Sequence, residues 1–178
     1  MKATGMVRRI DDLGRIVIPK EIRRTHKFKV GDELEIYTED DGLLIMKKHS
    51  RIIEFGEVSR GVVESLYRSL GGNVMLADNS HILYASGGYH ALYEKKELSS
   101  AMQEIIARRR GSILERNNIV DIIASDKHEY SACYVVPIIA NGDIYGSLIM
   151  IVNDGDIREN VNVLDAAASF LALNLGNE

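Results

Sequence analysis

Six basic side chains lie within the eighteen residues RRIDDLGRIVIPKEIRRT, residues 8–25. Guanidinium groups keep their charge at any physiological pH and bind phosphate oxygens through paired hydrogen bonds. Residues 1–29 hold nine Lys and Arg against three Asp and Glu, a local charge of +6, which leaves −10 for the rest of a chain of net charge −4. A basic beginning on an acidic body indicates that the first part of the chain binds a polyanion.

Five arginines of this segment are candidates for binding the phosphates of double-stranded DNA. Adjacent residues of a strand project to opposite faces, so Arg8 and Arg9 both reach a ligand only if their strand lies at an edge. A turn at Gly14 returns Arg15 to the same end of the sheet, and a short helix after Pro19 carries two more arginines. The candidates are Arg8, Arg9, Arg15, Arg23 and Arg24.

The acidic residues of the same segment allow other interpretations. Asp11, Asp12 and Glu21 can balance the arginines across a solvated face that binds nothing. Asp11 and Asp12 also have the form of a catalytic carboxylate pair, although acids just before a glycine are more typical of a turn. We expect these two aspartates to set the turn before Gly14 and to orient Arg15.

The first fifty residues predict four short strands and one short helix. Strands are expected over residues 5–10 and 15–19, a helix of about two turns over residues 20–27, and then a hairpin that turns at Asp41-Gly42. Such a small unit, without disulfide or metal ligands, buries too little apolar surface to fold alone. We therefore expect an obligate homodimer in which the hairpins of two copies interleave.

From Ser50 onward the pattern predicts an α/β domain. A helix of about five turns over residues 51–72 ends at a Gly pair, and a second helix, ELSSAMQEIIARRR, follows two strands. Strands are also expected over SILE, over VDIIAS and in a long hairpin that turns at Asn141-Gly142. A final helix has apolar residues in three-four spacing, typical of a seam available for self-association. The seam residues are Val161, Leu164, Ala168, Leu171 and Leu175.

Several classes of function are disfavoured. The chain lacks a run of about 18–20 apolar residues and a signal-peptide pattern, so we expect a cytoplasmic protein without a membrane partner. Cys133 lies in an apolar run and is expected in the core. The five histidines show no metal spacing and no nucleophile–base set can be assembled, so we expect no metal, no cofactor and no enzymatic activity.

The basic residues 108–110 end a helix, where cations interact favourably with the negative end of the helix dipole. We favour this explanation over a second DNA contact.

The opening segment resembles a known family. MKATGMVRRIDDLGRIVIPKEIRRTHKFKVGDELEIYTEDDGLLIMKK is similar to the DNA-binding domain of the AbrB-type swapped-hairpin transcription regulators, whose motifs D-x-x-G-R, I-P-x-x-I-R and G-D-x-L-E-I are all present. The similarity continues through VPIIANGDIYGSLIMI to regulators that join this domain to a GAF-like sensory domain. It implies an α+β chain with a swapped-hairpin β-barrel dimer over residues 1–53. A helix would join this to a GAF-like α/β domain with flanking helices, for regulation and oligomerisation, over residues 54–178.

The resemblance also implies a function, partners and site residues. The chain is expected to be a sequence-specific DNA-binding regulator of sporulation genes, acting as activator or repressor, and a homotetramer through helices of the GAF-like domains. The family's basic DNA-contacting positions fall on Arg8, Arg15, Arg23 and Arg24, with Arg9 and Lys2 as further candidates. GAF-like domains often bind a small-molecule effector, for which residues equally suited to core or loop positions are available. These are Tyr84, Ser86, Tyr89, His90, Tyr134 and Ser147.

An antitoxin is the alternative function. A related swapped-hairpin domain in an antitoxin autoregulates its gene and carries a disordered tail that wraps a toxin partner. The amphipathic C-terminal helix expected here counts against such a tail.

Overall fold

The computed structural model describes residues 4–26, 28, 30–124 and 130–176. The chain divides into two compact units, Met1–His49 (unit 1) and Ser50–Glu178 (unit 2). The domain boundary expected between residues 53 and 54 falls inside the first short helix of unit 2, Arg51–Glu54.

Unit 1 contains one short helix and one hairpin. Helix α1 (Lys20–Thr25) begins directly after Pro19, whose fixed φ suits the start of a helix. Strand β1 (Leu34–Thr38) pairs antiparallel with β2 (Leu44–Lys48). The connecting turn has Gly42 at φ 78°, a left-handed conformation that glycine adopts without strain.

The two strands expected before α1 are not formed within one chain. Residues 5–10 and 15–19 have no regular secondary structure. A strand needs a neighbour for its backbone N–H and C=O groups, and no strand among the described residues lies beside these segments. The described part of unit 1 therefore holds one two-stranded sheet rather than a closed barrel.

The described residues of unit 1 form no hydrophobic core of their own. Pro19 is the only buried residue among those described in this unit. Large apolar side chains are instead exposed, including Val7 (84%), Val17 (73%) and Ile36 (62%). Burial of apolar surface is the main favourable contribution to folding. Unit 1 of a single chain buries little such surface and therefore gains little stability from it.

Unit 2 is built on a five-stranded sheet in which every pair of neighbours is antiparallel. The strand order is β4-β3-β7-β6-β5, so β4 and β5 form the two edges. The central β6–β7 hairpin turns at Asn141 (φ 50°) and Gly142 (φ 84°), as predicted, because a two-residue hairpin turn needs two positive φ angles. The strands are β3 (Asn73–Ala77), β4 (Ile82–Ala85), β5 (Ser112–Glu115), β6 (Ala132–Ala140) and β7 (Asp143–Val152).

Helices cover both faces of this sheet. Alternate residues of β7 point to opposite sides, so Leu148 joins the core under two of the helices and Ile149 joins the core under the other two. The first core lies against α3 (Gly56–Leu70) and α6 (Val161–Leu175). The second lies against α4 (His90–Tyr93) and α5 (Ser100–Ala107). No helix within the described ranges combines the length and apolar character that a bilayer span requires.

Two predictions about unit 2 need correction. The helix expected over residues 51–72 is interrupted at Phe55, which separates α2 (Arg51–Glu54) from α3, although it ends at Gly71 as expected. The described residues of the segment VDIIAS, 120–124, do not form a strand. Their backbone makes one isolated bridge, from Ile123 to Leu98, while the side chains of Ile122 and Ile123 fill the core.

The seam predicted on the last helix packs inside unit 2. Four of its residues are at most 3% exposed, and the fifth, Val161, is half-buried against the same core. The three-four spacing correctly indicates a buried face, but that face covers the sheet and is not free for self-association. The large apolar side chains that α6 leaves exposed are Val163, Phe170 and Leu173.

Candidate nucleic-acid interface

Asp11 organises the turn that precedes Arg15. Its Oδ1 accepts hydrogen bonds from the backbone N–H groups of Leu13 (2.9 Å) and Arg15 (2.8 Å). Its backbone carbonyl accepts from Gly14 N–H at 2.9 Å, and its own N–H donates to the carbonyl of Arg15 at 3.0 Å. Gly14 has φ 76°, which only glycine adopts readily. The expectation that this acidic pair sets the turn is confirmed for Asp11.

The same carboxylate orients the side chain of Arg15. Nε of Arg15 donates to Oδ2 of Asp11 at 2.8 Å. The backbone N–H of Arg15, and then its guanidinium, lower the pKa of the Asp11 carboxyl, so the ion pair persists further into the acidic range. The Arg15 side chain is nevertheless 70% exposed, and its terminal amino groups form no hydrogen bond with a described residue. This arginine is thus held in place with two donor groups free for an anion.

The other candidate arginines lie on both sides of this turn. Arg8 and Arg9 are exposed on the extended segment before it, and Nη1 of Arg8 donates to the carbonyl of Val7 at 3.0 Å. Arg23 and Arg24 occupy the last turn of α1, where Arg24 is exposed and Arg23 is half-buried. Lys2 lies outside the described residues.

The acidic residues nearby leave most of this positive charge unpaired. Asp11 pairs with Arg15, but within the described ranges neither Asp12 nor Glu21 forms an ion pair with any of the five arginines. The half-buried Arg23 has a buried Nε without a hydrogen-bond partner among the described residues. An unsatisfied buried donor costs free energy, but this atom is shielded from solvent, so any contact of Arg23 with an external anion would use its terminal amino groups.

The structure does not bring the six candidate effector-binding residues together. Tyr84 and Tyr134 pack with the core under α3 and α6, whereas Tyr89 packs with the core on the opposite face of the sheet. His90 is exposed and pairs with Glu94, with Nε2 and Oε2 3.0 Å apart. Side chains on opposite faces of this sheet do not line one pocket, because the sheet itself lies between them.

Two of the buried hydroxyl groups among these six residues form hydrogen bonds within the fold. Oγ of Ser86 accepts from the N–H of Val74 at 2.8 Å and donates to its carbonyl at 2.9 Å. The Tyr134 hydroxyl donates to Oδ1 of Asp165 on α6 at 2.6 Å, and burial, followed by this bond, raises the pKa of Tyr134. Ser147 is fully buried, and its Oγ has no hydrogen-bond partner in the described part of the chain.

Sequence reasoning missed the contacts that join distant segments. The guanidinium of Arg60 lies 4.9 Å from the centre of the Tyr84 ring, and the Tyr134–Asp165 bond joins residues 31 positions apart. No local spacing signals such pairs, because the fold decides which residues of a strand and a helix meet.

Two protein-family models match successive parts of the sequence. Residues 54–176 match the family model described as stage V sporulation protein T C-terminal, transcription factor. Residues 7–53 match the model described as antidote-toxin recognition MazE, bacterial antitoxin.

Two individual proteins are similar to this chain in sequence, and a solved GAF domain is similar to it in structure. Stage V sporulation protein T of Bacillus subtilis (strain 168) is 41% identical over 177 residues, which covers 97% of each chain. The transition state regulatory protein AbrB of the same organism is 42% identical over 77 residues, 43% of this chain and 78% of AbrB. The second GAF domain of DevS from Mycobacterium smegmatis superimposes with a TM-score of 0.55 at 16% identity, over 67% of this chain and 91% of that one, which shows the GAF fold. With one family model over most of its length and a full-length relative, the chain belongs to the stage V sporulation protein T family of transcription factors.

Proposed function

We propose that the chain is a cytoplasmic regulator of transcription, including that of sporulation genes, and that it binds double-stranded DNA through unit 1. One observation carries this proposal: Asp11 fixes a turn that holds Arg15 in place while leaving its terminal amino groups exposed. Exposed arginines on either side of that turn extend the positive surface. Guanidinium groups in such an arrangement suit phosphate oxygens, and those that reach guanine edges supply sequence specificity.

Unit 1 functions as a homodimer in this proposal. Its exposed apolar side chains and unpaired extended segments support this, because a second copy can cover the former and pair with the latter. Interleaved hairpins would supply the neighbouring strands that one chain lacks. Dimerisation also doubles the number of arginines on one surface, and a two-fold axis matches the pseudo-symmetry of duplex DNA.

Unit 2 supplies regulation and further assembly. The exposed apolar residues Val163, Phe170 and Leu173 of α6 support association between two dimers into a homotetramer. The GAF fold supports a regulatory role in which an effector changes DNA affinity. The chain acts in this proposal by binding rather than by catalysis.

An antitoxin function is the second candidate, because residues 7–53 match the antitoxin family model. An antitoxin tail that wraps a toxin is disordered until it binds. Here the residues after unit 1 form a sheet with a hydrophobic core on each face. This folded domain favours the transcription regulator.

Fluorescence anisotropy of the full chain with a short labelled DNA duplex tests the proposal. Single Arg→Ala variants at positions 8, 15, 23 and 24 should each lower the affinity by roughly tenfold, because the dimer loses two charge-assisted contacts. Arg68→Ala is the matched control, since Arg68 is an exposed arginine of unit 2 that pairs with Glu64. Unchanged affinity in all four variants would contradict DNA binding by unit 1.

A further inference from the structure

Unit 2 has an open cleft between the end of α5 and the edge strand β5. Its volume is about 620 Å³, within the range of roughly 300–1,000 Å³ typical of small-molecule sites. Two arginines and two amides, Arg108, Arg110, Asn117 and Asn118, line it together with apolar side chains that include Ile105 and Ile119. None of the six residues predicted for an effector pocket borders this cleft.

The cleft concentrates positive charge on an acidic unit. Residues 50–178 carry eleven Lys and Arg against seventeen Asp and Glu, yet four of the eleven lie within residues 108–116. Arg108 and Arg110 are exposed and pair with no acidic residue in the described part of the chain. The carboxylate of neighbouring Glu115 is bound by Arg158 instead. Among the described residues of unit 2, the charge of the cleft therefore has no acidic partner.

The helix dipole explains only part of this cluster. Arg108 is the C-cap of α5, where a cation interacts favourably with the negative helix end. Arg110 lies beyond the cap, and the dipole effect decays within the last turn. Arg109 turns away, because its Nη2 donates to the carbonyl of Gly142 at 2.8 Å. Stabilisation of a helix end also requires only a cation, so it does not explain why amides and apolar side chains line the same cleft.

The backbone beside Arg110 is fixed in place. A Cβ on Gly111 would lie 2.0 Å from the hydroxyl oxygen of Tyr134, so the chain passes this ring at a distance that only glycine allows. That hydroxyl is held in turn by Asp165 at 2.6 Å. Gly111, just before β5, therefore packs closely on the ring of Tyr134 in the neighbouring strand β6. A preformed wall reduces the entropy lost when a ligand binds.

We propose that this cleft binds a small organic phosphate. The guanidinium groups of Arg108 and Arg110 bind the phosphate oxygens, and the amides of Asn117 and Asn118 supply further hydrogen bonds. The apolar body of the ligand packs on Ile105 and Ile119. This inference rests on the regulatory role proposed for unit 2, and it gives the regulatory ligand a chemical class and a binding site. The site does not use the arginines of unit 1 that are proposed to bind DNA.

Calorimetric titration of the full chain tests this inference, with phenyl phosphate, inorganic phosphate and phenol as probes. Phenyl phosphate should bind most tightly, because it alone uses both the arginines and the apolar side chains. The double variant R108Q/R110Q should lower its affinity at least about tenfold, the loss expected when charge-assisted hydrogen bonds are removed. R68Q should leave it unchanged. Ile119→Ser should reduce the preference for phenyl phosphate over inorganic phosphate.

The arginines of unit 1 also attract phosphate, so R8Q/R24Q is tested in parallel and should retain phenyl phosphate binding. Loss of binding in R8Q/R24Q but not in R108Q/R110Q would overturn the proposal. It would also be overturned if phenyl phosphate fails to bind. A fall in duplex DNA affinity in R108Q/R110Q, without phenyl phosphate binding to the wild type, would instead identify the cleft as a second DNA contact.

Discussion

The carboxylate of Asp11 binds Arg15 through two donors, the backbone N–H and the side-chain Nε, each at 2.8 Å. One acidic residue therefore fixes both the turn and the direction of the arginine that follows it. In this arrangement the D-x-x-G-R motif holds the guanidinium group of its arginine in an exposed position. The aspartate orients the arginine and does more than neutralise its charge.

Replacement of Asp11 should weaken DNA binding even though it removes a negative charge. Asp11→Ala should lower the affinity of the full chain about threefold to tenfold, because Arg15 must then be ordered when DNA binds. Asp11→Asn keeps an acceptor for the two backbone N–H groups but places an amide nitrogen, which only donates, where Oδ2 accepts from Nε of Arg15. It should keep the turn, lose the orientation of the guanidinium, and bind DNA with an affinity between those of wild type and Asp11→Ala. Asp12→Ala is the adjacent control and should not weaken binding. Anisotropy measures all three, and equal or tighter binding by Asp11→Ala would contradict the role given to this carboxylate.

Unit 1 should be more stable at higher protein concentration. In the proposed homodimer a second copy covers the exposed apolar side chains of unit 1, so mass action should couple folding to assembly. Hydrogen exchange at the amides of β1 and β2 should slow as the concentration of the full chain rises, whereas exchange at the central strands β6 and β7 should change less. Protection of β1 and β2 that is independent of concentration would mean that unit 1 folds alone.

The bond between Tyr134 and Asp165 should stabilise unit 2. Tyr134→Phe removes the hydroxyl and leaves the Asp165 carboxylate without this donor, at an expected cost of about 1–2 kcal/mol in the free energy of unfolding. Tyr145→Phe makes the same chemical change at a half-buried ring that interacts with Arg51 through its face. Denaturant unfolding compares the two variants. Equal stability in both would show that the Tyr134 hydroxyl contributes nothing.

The ion pair between Glu115 and Arg158 should make stability depend on pH in the acidic range. Hydrogen bonds from Arg158 lower the pKa of Glu115 below its usual value of 4.5. A lowered pKa in the folded state adds stability above the unfolded value and loses it as the pH falls through the folded value. Between about pH 5 and about pH 3, the melting temperature of wild type should therefore fall further than that of Glu115→Gln.

The control for this pH experiment is Glu104→Gln, which removes an exposed carboxylate of α5 that pairs with no residue in the described ranges. It should follow the wild-type curve. Parallel curves for wild type and Glu115→Gln would contradict a stabilising role for the ion pair.

The sequence predicted the parts of the fold that depend on local pattern. The Asn141-Gly142 turn needs two positive φ angles, and Gly71 ends α3 in a left-handed conformation, so both follow from residue type. The turn at Asp11 and the density of arginines around it were equally visible, because they depend on neighbours in the chain.

The remaining features depend on tertiary or quaternary partners. Apolar spacing on α6 indicated a buried face but not that the sheet would cover it, and Ile122 and Ile123 resembled a strand although they fill a core from irregular backbone. The extended segments before α1 carry strand-like residues, yet a strand forms only beside another. The cleft at Arg108 and Arg110 escaped notice, because residues 105–120 form it only after α5 and β5 are packed.

The salt dependence of DNA binding by the full chain tests the central claim most directly. Four arginine positions in each of two copies give about eight phosphate contacts, which predicts a log–log slope of affinity against salt concentration of about −7. A slope near zero would exclude phosphate binding by these arginines. A slope of about half the expected value would mean that a single copy binds, and would contradict the paired arginine surface on which the proposed function rests.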